Sequence, residues 1–189
     1  MNRFENWFCA SSFWRNVTRK QLLPWLLGDT QLGDHVLELG AGPGAATEEL
    51  RRRAERVTSL EYSHAFALGI AQRSRGANGT VVQGDASTLP FPGETFSAAI
   101  AVLVLHHLRS TELQERAFAE VFRVLKPRGV FLAVEIQDGW LNRIGHIRST
   151  FVPLAASSVP ERLAAAGFSD VSTSFFRGSA YRLRAVRPL

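Results

Sequence analysis

The order of apolar and polar positions along the chain alternates between short apolar runs and amphipathic stretches. The apolar runs predict strands at residues 36–39, 56–61, 80–83, 96–105 and 129–136. The amphipathic stretches predict helices at residues 45–53, 63–74, 111–125 and 159–166. Since strands and helices alternate, the pattern predicts an α/β fold with a mostly parallel sheet covered by helices.

The last two apolar runs differ from the others. Residues 170–177 and 180–186 follow each other with only a Gly178-Ser179 turn between them. Strands joined by so short a link must pair antiparallel, because a parallel pair needs a longer crossover. The sequence therefore predicts a seven-stranded sheet that is mostly parallel and ends in an antiparallel C-terminal hairpin.

A glycine-rich turn follows the first predicted strand. Gly40, Gly42 and Gly44 lack a Cβ, so the backbone of this turn can approach a ligand closely. Pro43 has a φ suited to the first turn of the helix that follows. A helix N-terminus with free N–H groups at such a turn favours a nucleotide or a carboxylate. By itself the turn is also consistent with a simple tight loop.

An acid at the end of the second strand strengthens the interpretation as a binding site. Glu61 lies about 20 residues past the glycines, where dinucleotide-binding folds place the group that binds a ribose. A carboxylate that accepts two ribose hydroxyls makes charge-assisted hydrogen bonds worth about 1.5–3 kcal/mol each. The alternative is a solvated glutamate at a strand end.

Five motifs in order resemble those of class I S-adenosylmethionine-dependent methyltransferases, most closely the small-molecule and lipid branch. They are Glu38 to Gly44, Glu61, Gly84-Asp85-Ala86, the run from Phe96 to Leu108, and Arg123 to Gly129. The resemblance covers residues 33–189 and implies a Rossmann-like three-layer sandwich. An NAD-binding domain more often has G-x-G-x-x-G, whereas the third glycine here comes one residue earlier.

The resemblance implies that the cofactor is S-adenosyl-L-methionine. It assigns the adenine amino group to the Asp85 carboxylate and an adenine ring nitrogen to the backbone N–H of Ala86. Ser97 stands where the family usually has an aspartate, which puts little of cofactor binding in doubt. The full set of candidate cofactor-binding residues is Glu38, Gly40, Ala41, Gly42, Gly44, Glu61, Tyr62, Asp85, Ala86 and Val102.

His106 and His107 follow the fourth strand, at the end where the transferred methyl group should point. A neutral imidazole there could accept a proton from the acceptor near pH 7, which makes the pair our catalytic candidates. The alternative is that the pair only anchors its loop by hydrogen bonds. The sequence spacing shows no His/Cys cluster typical of a metal site, so we expect no metal.

The acceptor site is the least defined part of the sequence. Residues 137–156 fit no clean pattern, and in the resembled family the segment after the fifth strand varies with the substrate. We expect residues of this segment and of the N-terminus to contact the acceptor. The candidates are Trp7, Trp14, Trp140, Arg143 and His146.

Residues 1–27 are rich in aromatic side chains, and part of them follows helical spacing. We expect a helical cap at 1–27 and a Rossmann-like core at 33–189, together one methyltransferase domain. The aromatic segment has three interpretations: packing on the domain, a lid over the acceptor pocket, or contact with a membrane surface.

Charge and composition reduce the number of function classes to consider. A net charge of +5 is typical of proteins that bind nucleic acid. However, 20 of the 22 basic residues are arginines scattered along the chain, so nucleic-acid binding is not favoured. Cys9 is the single cysteine, which indicates a reducing compartment, and we expect a cytoplasmic protein with neither a signal peptide nor a membrane span.

The sequence thus predicts a transferase that methylates an oxygen or nitrogen of a small or lipid-like acceptor, with peripheral membrane contact left open. The alternatives are an RNA methyltransferase and a non-catalytic S-adenosylmethionine-binding protein. The acceptor's identity and the oligomeric state do not follow from the sequence.

Overall fold

A computed structural model describes residues 2–73, 78–176 and 180–189, and for Arg3, Phe4 and Asn6 it describes the backbone alone. Within these residues the strands form one seven-stranded sheet in the order β3-β2-β1-β4-β5-β7-β6. Strands β1 to β5 are parallel, and β7 is antiparallel to both β5 and β6. The predicted fold class is confirmed. The strands are β1 His35–Leu39, β2 Arg56–Glu61, β3 Gly79–Gln83, β4 Phe96–Val102, β5 Leu125–Ile136, β6 Ser169–Phe176 and β7 Ala180–Val186.

Helices cover both faces of the sheet. On one face α6 and α8 bury side chains such as Phe118 and Leu163, and on the other face the N-terminal helices and α4 do so. Alternate residues of β4 enter the two cores, so this strand is buried on both sides as predicted. The helices are α1 Arg3–Ala10, α2 Ser12–Val17, a π-helical turn Thr18–Leu22, α3 Leu23–Leu27, α4 Thr47–Leu50, α5 His64–Arg73, α6 Thr111–Val124, α7 Trp140–Gly145 and α8 Val159–Ala165.

Strand β4 is shorter than the sequence predicts. The predicted strand runs to Leu105, but β4 ends at Val102 because Leu103 adopts a φ of 57° and turns the chain. A 3₁₀ turn, Leu105–His107, follows. The apolar run continues because this turn is itself buried, and apolarity alone does not distinguish a strand from a buried turn.

Other elements also differ from the predictions, most of them by a single residue and α4 and β5 by more. Helix α4 covers only Thr47–Leu50 of the predicted 45–53, and β5 begins at Leu125 rather than at residue 129. Helix α7 arises in a segment where no pattern was found. The predicted turn at Gly178-Ser179 lies outside the described residues.

The second half of the N-terminal segment belongs to the core. Leu23, Leu26 and Leu27 are buried against the sheet, and Trp14 and Val17 pack on the same cluster. Arg182 of β7 donates to the Trp25 carbonyl oxygen and lies over the Trp25 ring. Among the described residues no helix is both long and apolar enough to cross a membrane.

Candidate cofactor and acceptor site

A cavity of about 870 Å³ lies at the carboxyl ends of β1 to β4, where open α/β sheets bind ligands. Nine of the ten predicted cofactor residues line it, and Gly44 is the exception. Gly44 instead packs toward Ile70 and Arg73 of α5. The structure therefore brings the predicted cofactor residues together.

The glycine turn faces this cavity with left-handed backbone. Gly40 and Gly42 have φ values of 60° and 54°. A Cβ on Gly40 would lie 2.6 Å from the Val104 side chain, so only glycine fits there. A Cβ on Gly42 would meet no atom of the described chain within 4 Å and would occupy the cavity itself. Bare backbone at Gly42 is what close approach of a cofactor requires.

Glu61 joins β2 to the glycine turn. Its Oε2 accepts a hydrogen bond from the Gly42 N–H and its Oε1 accepts one from the Ser63 N–H, each at 2.7 Å. An ionised carboxylate has about four acceptor sites, so both oxygens keep capacity for further donors such as ribose hydroxyls. Asp85 is similar, because Ser87 donates to Oδ1 through both its N–H and its hydroxyl. These geometries suit the roles that the resemblance implies.

Glu38 is a buried acid at the end of β1. Its Oε2 accepts hydrogen bonds from the Ser59 and Thr47 hydroxyls at 2.6 and 2.7 Å. Burial raises the pKa of Glu38 to about 7, and the nearby Glu61 adds to this although the two hydroxyls oppose it. The residue lines the cavity, so its charge near neutral pH depends on the environment that a ligand creates there.

A second group of polar residues, which includes His106, lines the same cavity beyond the end of β4, and a buried acid lies behind it. The Nδ1 of His106 lies 2.5 Å from Oε2 of Glu135, a fully buried acid on β5. The other oxygen of Glu135 accepts the N–H groups of Val104 and Leu105. Burial opposes ionisation of Glu135, but His106 and these N–H groups outweigh it and lower the pKa. Glu135 therefore orients the His106 ring and the turn that carries it.

Sequence reasoning missed Glu135 as a functional residue. The available signal was a single acid in the otherwise apolar run from Val130 to Ile136. A charged residue is rarely fully buried unless it is paired, so an acid at this position predicts a side chain that pairs with it. Its partner, His106, is 29 residues away in the sequence.

Folding brings His146 beside His106 and His107. One ring nitrogen of each histidine lies within 4.8 Å of those of the other two. The Nδ1 of His107 bonds the Thr150 carbonyl oxygen, and the Nδ1 of His146 bonds that of Asn142. Burial, followed by the influence of His106, lowers the pKa of His107 to about 4. This grouping was not visible in the sequence spacing, from which we expected no metal-binding cluster.

The structure places two of the five predicted acceptor residues in the cavity lining. Trp14 and His146 line the cavity, whereas the described cavity lining does not include Trp7, Trp140 or Arg143. Trp7 and Trp140 are 67% and 70% exposed, and Arg143 pairs with Asp138. Helix α1 turns Phe8 inward instead, because successive helical positions differ by about 100°.

Helix α1 lines the cavity and is hydrogen-bonded to the end of α7 and to the segment after it. Asn2 donates through its side chain to the carbonyl oxygens of Gly145 and Ile147. The Ser149 hydroxyl donates to Oε2 of Glu5, a buried acid on α1. Helix α1 and the segment that follows α7 therefore form the outer wall of the cavity together.

Comparison with known proteins gives both the family and the fold. A family model described as "Methyltransferase domain" matches residues 37–133. The demethylmenaquinone methyltransferase of Thermobifida fusca is 34% identical over 146 residues, covering 70% of this chain and 58% of the relative. The chain spans about half the length of the curated relatives that it matches.

Two solved structures share the fold. A protein from Pyrococcus horikoshii OT3 superposes with a TM-score of 0.80 at 19% identity, covering 94% of this chain and 92% of that one. The N-methyltransferase NodS from Bradyrhizobium japonicum WM9, in complex with S-adenosyl-L-homocysteine, gives a TM-score of 0.74 at 21% identity. The alignment with NodS covers 100% of this chain and 89% of that one. Because the family model covers more than half of the 189 residues and its core strands form the cavity described above, the chain belongs to the methyltransferase domain family.

Proposed function

We propose that this protein is an S-adenosylmethionine-dependent methyltransferase that acts on an oxygen or nitrogen of a small or lipid-like acceptor. The observation that carries the proposal is one cavity lined both by the glycine turn with its acids and by the histidine group. Bound S-adenosylmethionine supplies an already activated methyl group, so the protein's main tasks are to align the two reactants and to exclude water.

The cofactor end of the cavity consists of the glycine turn with Glu61, Asp85 and Ala86, and these residues fit S-adenosylmethionine. The Glu61 carboxylate can accept further hydrogen bonds from ribose hydroxyls. The Asp85 carboxylate accepts a hydrogen bond from the adenine amino group, and the Ala86 N–H donates one to an adenine ring nitrogen. The glycine turn leaves open space where a side chain at Gly42 would stand. These assignments extend the resemblance to the methyltransferases and are supported by the geometry of the described residues.

The outer wall of the cavity favours an apolar or lipid-like acceptor. Of the ten exposed large hydrophobic residues described, six lie in α1, α2 and residues 140–147, the segments next to the cavity mouth. Such a concentration of apolar surface is typical of sites that meet an apolar partner or a membrane surface. The Thermobifida fusca relative is named for demethylmenaquinone, and a small-molecule acceptor of this chain agrees with that name.

The RNA methyltransferase alternative has less support. Several arginines are engaged in ion pairs with acids of the same chain, as in Arg162 with Glu115, Arg187 with Glu94 and Arg123 with Glu120. Basic residues paired in this way contribute little to a phosphate-binding track. The non-catalytic alternative is distinguished by turnover, because it predicts cofactor binding without release of S-adenosylhomocysteine.

The test of the cofactor site uses two variants with matched controls. Glu61→Ala removes the ribose acceptor, and Gly42→Val fills the open space and strains a left-handed backbone. We expect Glu61→Ala to weaken binding of S-adenosylhomocysteine about tenfold or more in calorimetry, the loss of one or two charge-assisted hydrogen bonds. Gly42→Val should abolish it.

The controls are Glu55→Ala, an exposed acid, and Gly139→Val, a glycine with extended backbone. Both should bind like the parent protein. If Glu61→Ala and Gly42→Val also bind like the parent, the site assignment is wrong.

A separate experiment tests the acceptor class. The parent protein is screened by release of S-adenosylhomocysteine, with apolar phenols, quinols and amines compared against RNA.

A further inference from the structure

We propose that His106, His107 and His146 bind a divalent transition-metal ion such as Zn²⁺ at the acceptor end of the cavity. All three side chains line the cavity on the side of α1 and α7. Imidazole nitrogens are preferred ligands of Zn²⁺, Fe²⁺, Ni²⁺ and Cu²⁺. Three histidines with one open position are also a common arrangement in zinc sites that act on a substrate.

The distances allow one ion to reach all three rings. One nitrogen of each histidine lies within 4.8 Å of the other two. A tetrahedral zinc ion with Zn–N bonds of about 2.1 Å holds its nitrogens about 3.4 Å apart. The three nitrogens therefore need to approach one another by no more than about 1.4 Å to reach the spacing of a tetrahedral zinc site.

The hydrogen bonds fix which nitrogen of each ring is available. The carbonyl oxygens of Thr150 and Asn142 can only accept, so Nδ1 of His107 and Nδ1 of His146 must carry the proton. The carboxylate of Glu135 does the same for Nδ1 of His106. In each neutral ring Nε2 then keeps its lone pair. Metal-bound histidines show this pattern, in which the second nitrogen donates to a carboxylate or a backbone carbonyl.

An acid on α1 lies next to the cluster. Oε1 of Glu5 is 3.7 Å from Nε2 of His146, and the Glu5 side chain is buried. Its negative charge offsets part of the charge of a bound cation, which stabilises an ion in a site of low exposure. The cluster and this acid come from elements far apart in sequence, so the site exists only in the folded chain.

The proposed ion has a role in the reaction, and this part of the inference rests on the proposed function. A hydroxyl oxygen of the acceptor that binds at the open position has its pKa lowered and releases its proton to solvent. That oxygen then forms the new O–C bond as the C–S bond of the cofactor breaks and sulfur keeps the electron pair. A nitrogen that binds metal is not available as a base, so the ion replaces the histidines in this task.

The experiment titrates the full chain, purified without a histidine tag and stripped with a chelator, with Zn²⁺ in calorimetry and with Co²⁺ by visible absorption. We expect one equivalent of either metal, with the intense visible bands of four-coordinate Co²⁺. His146→Ala should weaken Zn²⁺ binding about 100-fold or more, since even loss of an outer-shell partner costs 10–100-fold. His64→Ala is the matched control, because His64 bonds Gln83 outside the cavity, and it should bind Zn²⁺ like the parent.

Absence of saturable Zn²⁺ binding by the parent protein would overturn the proposal without reference to any variant. Equal effects of His146→Ala and His64→Ala would overturn it as well. Thermal unfolding of each variant checks its fold, and His107→Gln provides a second variant if His146→Ala is unstable. Calorimetry with S-adenosylhomocysteine on the same samples separates the two proposals, because a protein that binds the cofactor and not Zn²⁺ refutes the metal site alone.

Discussion

Replacing Glu38 by Gln tests the electrostatics of the cofactor end through stability rather than activity. The Ser59 and Thr47 hydroxyls both donate to the same oxygen of Glu38. The amide oxygen of Gln can take that place and accept both hydroxyls, so the change removes the charge and keeps the shape. The ligand-free protein is used, since a bound cofactor would alter the environment of the carboxyl group.

The magnitude follows from the pKa. Burial raises the pKa of Glu38 from 4.5 to about 7. Between these two pH values the Glu38 carboxyl group keeps its proton in the folded protein and loses it in the unfolded chain. This group's contribution to stability is complete below pH 4.5 and is lost as the pH rises through 7. One pKa unit corresponds to about 1.36 kcal/mol, which makes the whole effect about 3 kcal/mol and the part between pH 5 and 8 about 2.5 kcal/mol.

The assay compares the free energy of unfolding of the parent and Glu38→Gln in urea at pH 5, 6, 7 and 8. The parent should lose about 2.5 kcal/mol relative to the variant over this range, or about 5–10 °C in melting temperature. Glu55→Gln is the control, because the exposed Glu55 should give a curve parallel to that of the parent. A Glu38→Gln curve that also runs parallel to the parent would refute the raised pKa.

Two further predictions concern the acceptor end. Deletion of residues 2–10 removes Phe8 and Cys9 from the cavity lining but leaves the β-strand residues of the cofactor end. Binding of S-adenosylhomocysteine should therefore persist while the rate of methyl transfer falls. Full activity of the folded truncated protein would show that α1 only packs on the domain. His106→Asn and His107→Asn should lower turnover at saturating cofactor more than about tenfold, the least expected of a proton acceptor or a metal ligand. A smaller effect in both variants would exclude the pair from the chemistry.

Local pattern was enough to predict the cofactor end. In a parallel sheet the carboxyl ends of neighbouring strands meet at one edge, so residues at or just after the ends of β1, β2 and β3 must lie together once the strands are recognised. Gly42, Glu61 and Asp85 satisfy that condition, and each is marked in the sequence by its place at the end of an apolar run or shortly after one. The seven-stranded, mostly parallel sheet with its terminal hairpin follows from the same pattern and from the short link before β7, whereas the strand order, with β7 between β5 and β6, comes from the structure alone.

The acceptor end depends on contacts that no local pattern encodes. His106 meets Glu135 29 residues later, and Ser149 of the segment after α7 meets Glu5 144 residues earlier. The direction in which α1 faces decides that Phe8 enters the cavity and that Trp7 lies 67% exposed. Composition alone treats these two aromatic residues alike. Repeating strand geometry thus made the cofactor end predictable from sequence, whereas only tertiary packing of irregular segments determined the histidine cluster and the wall around it.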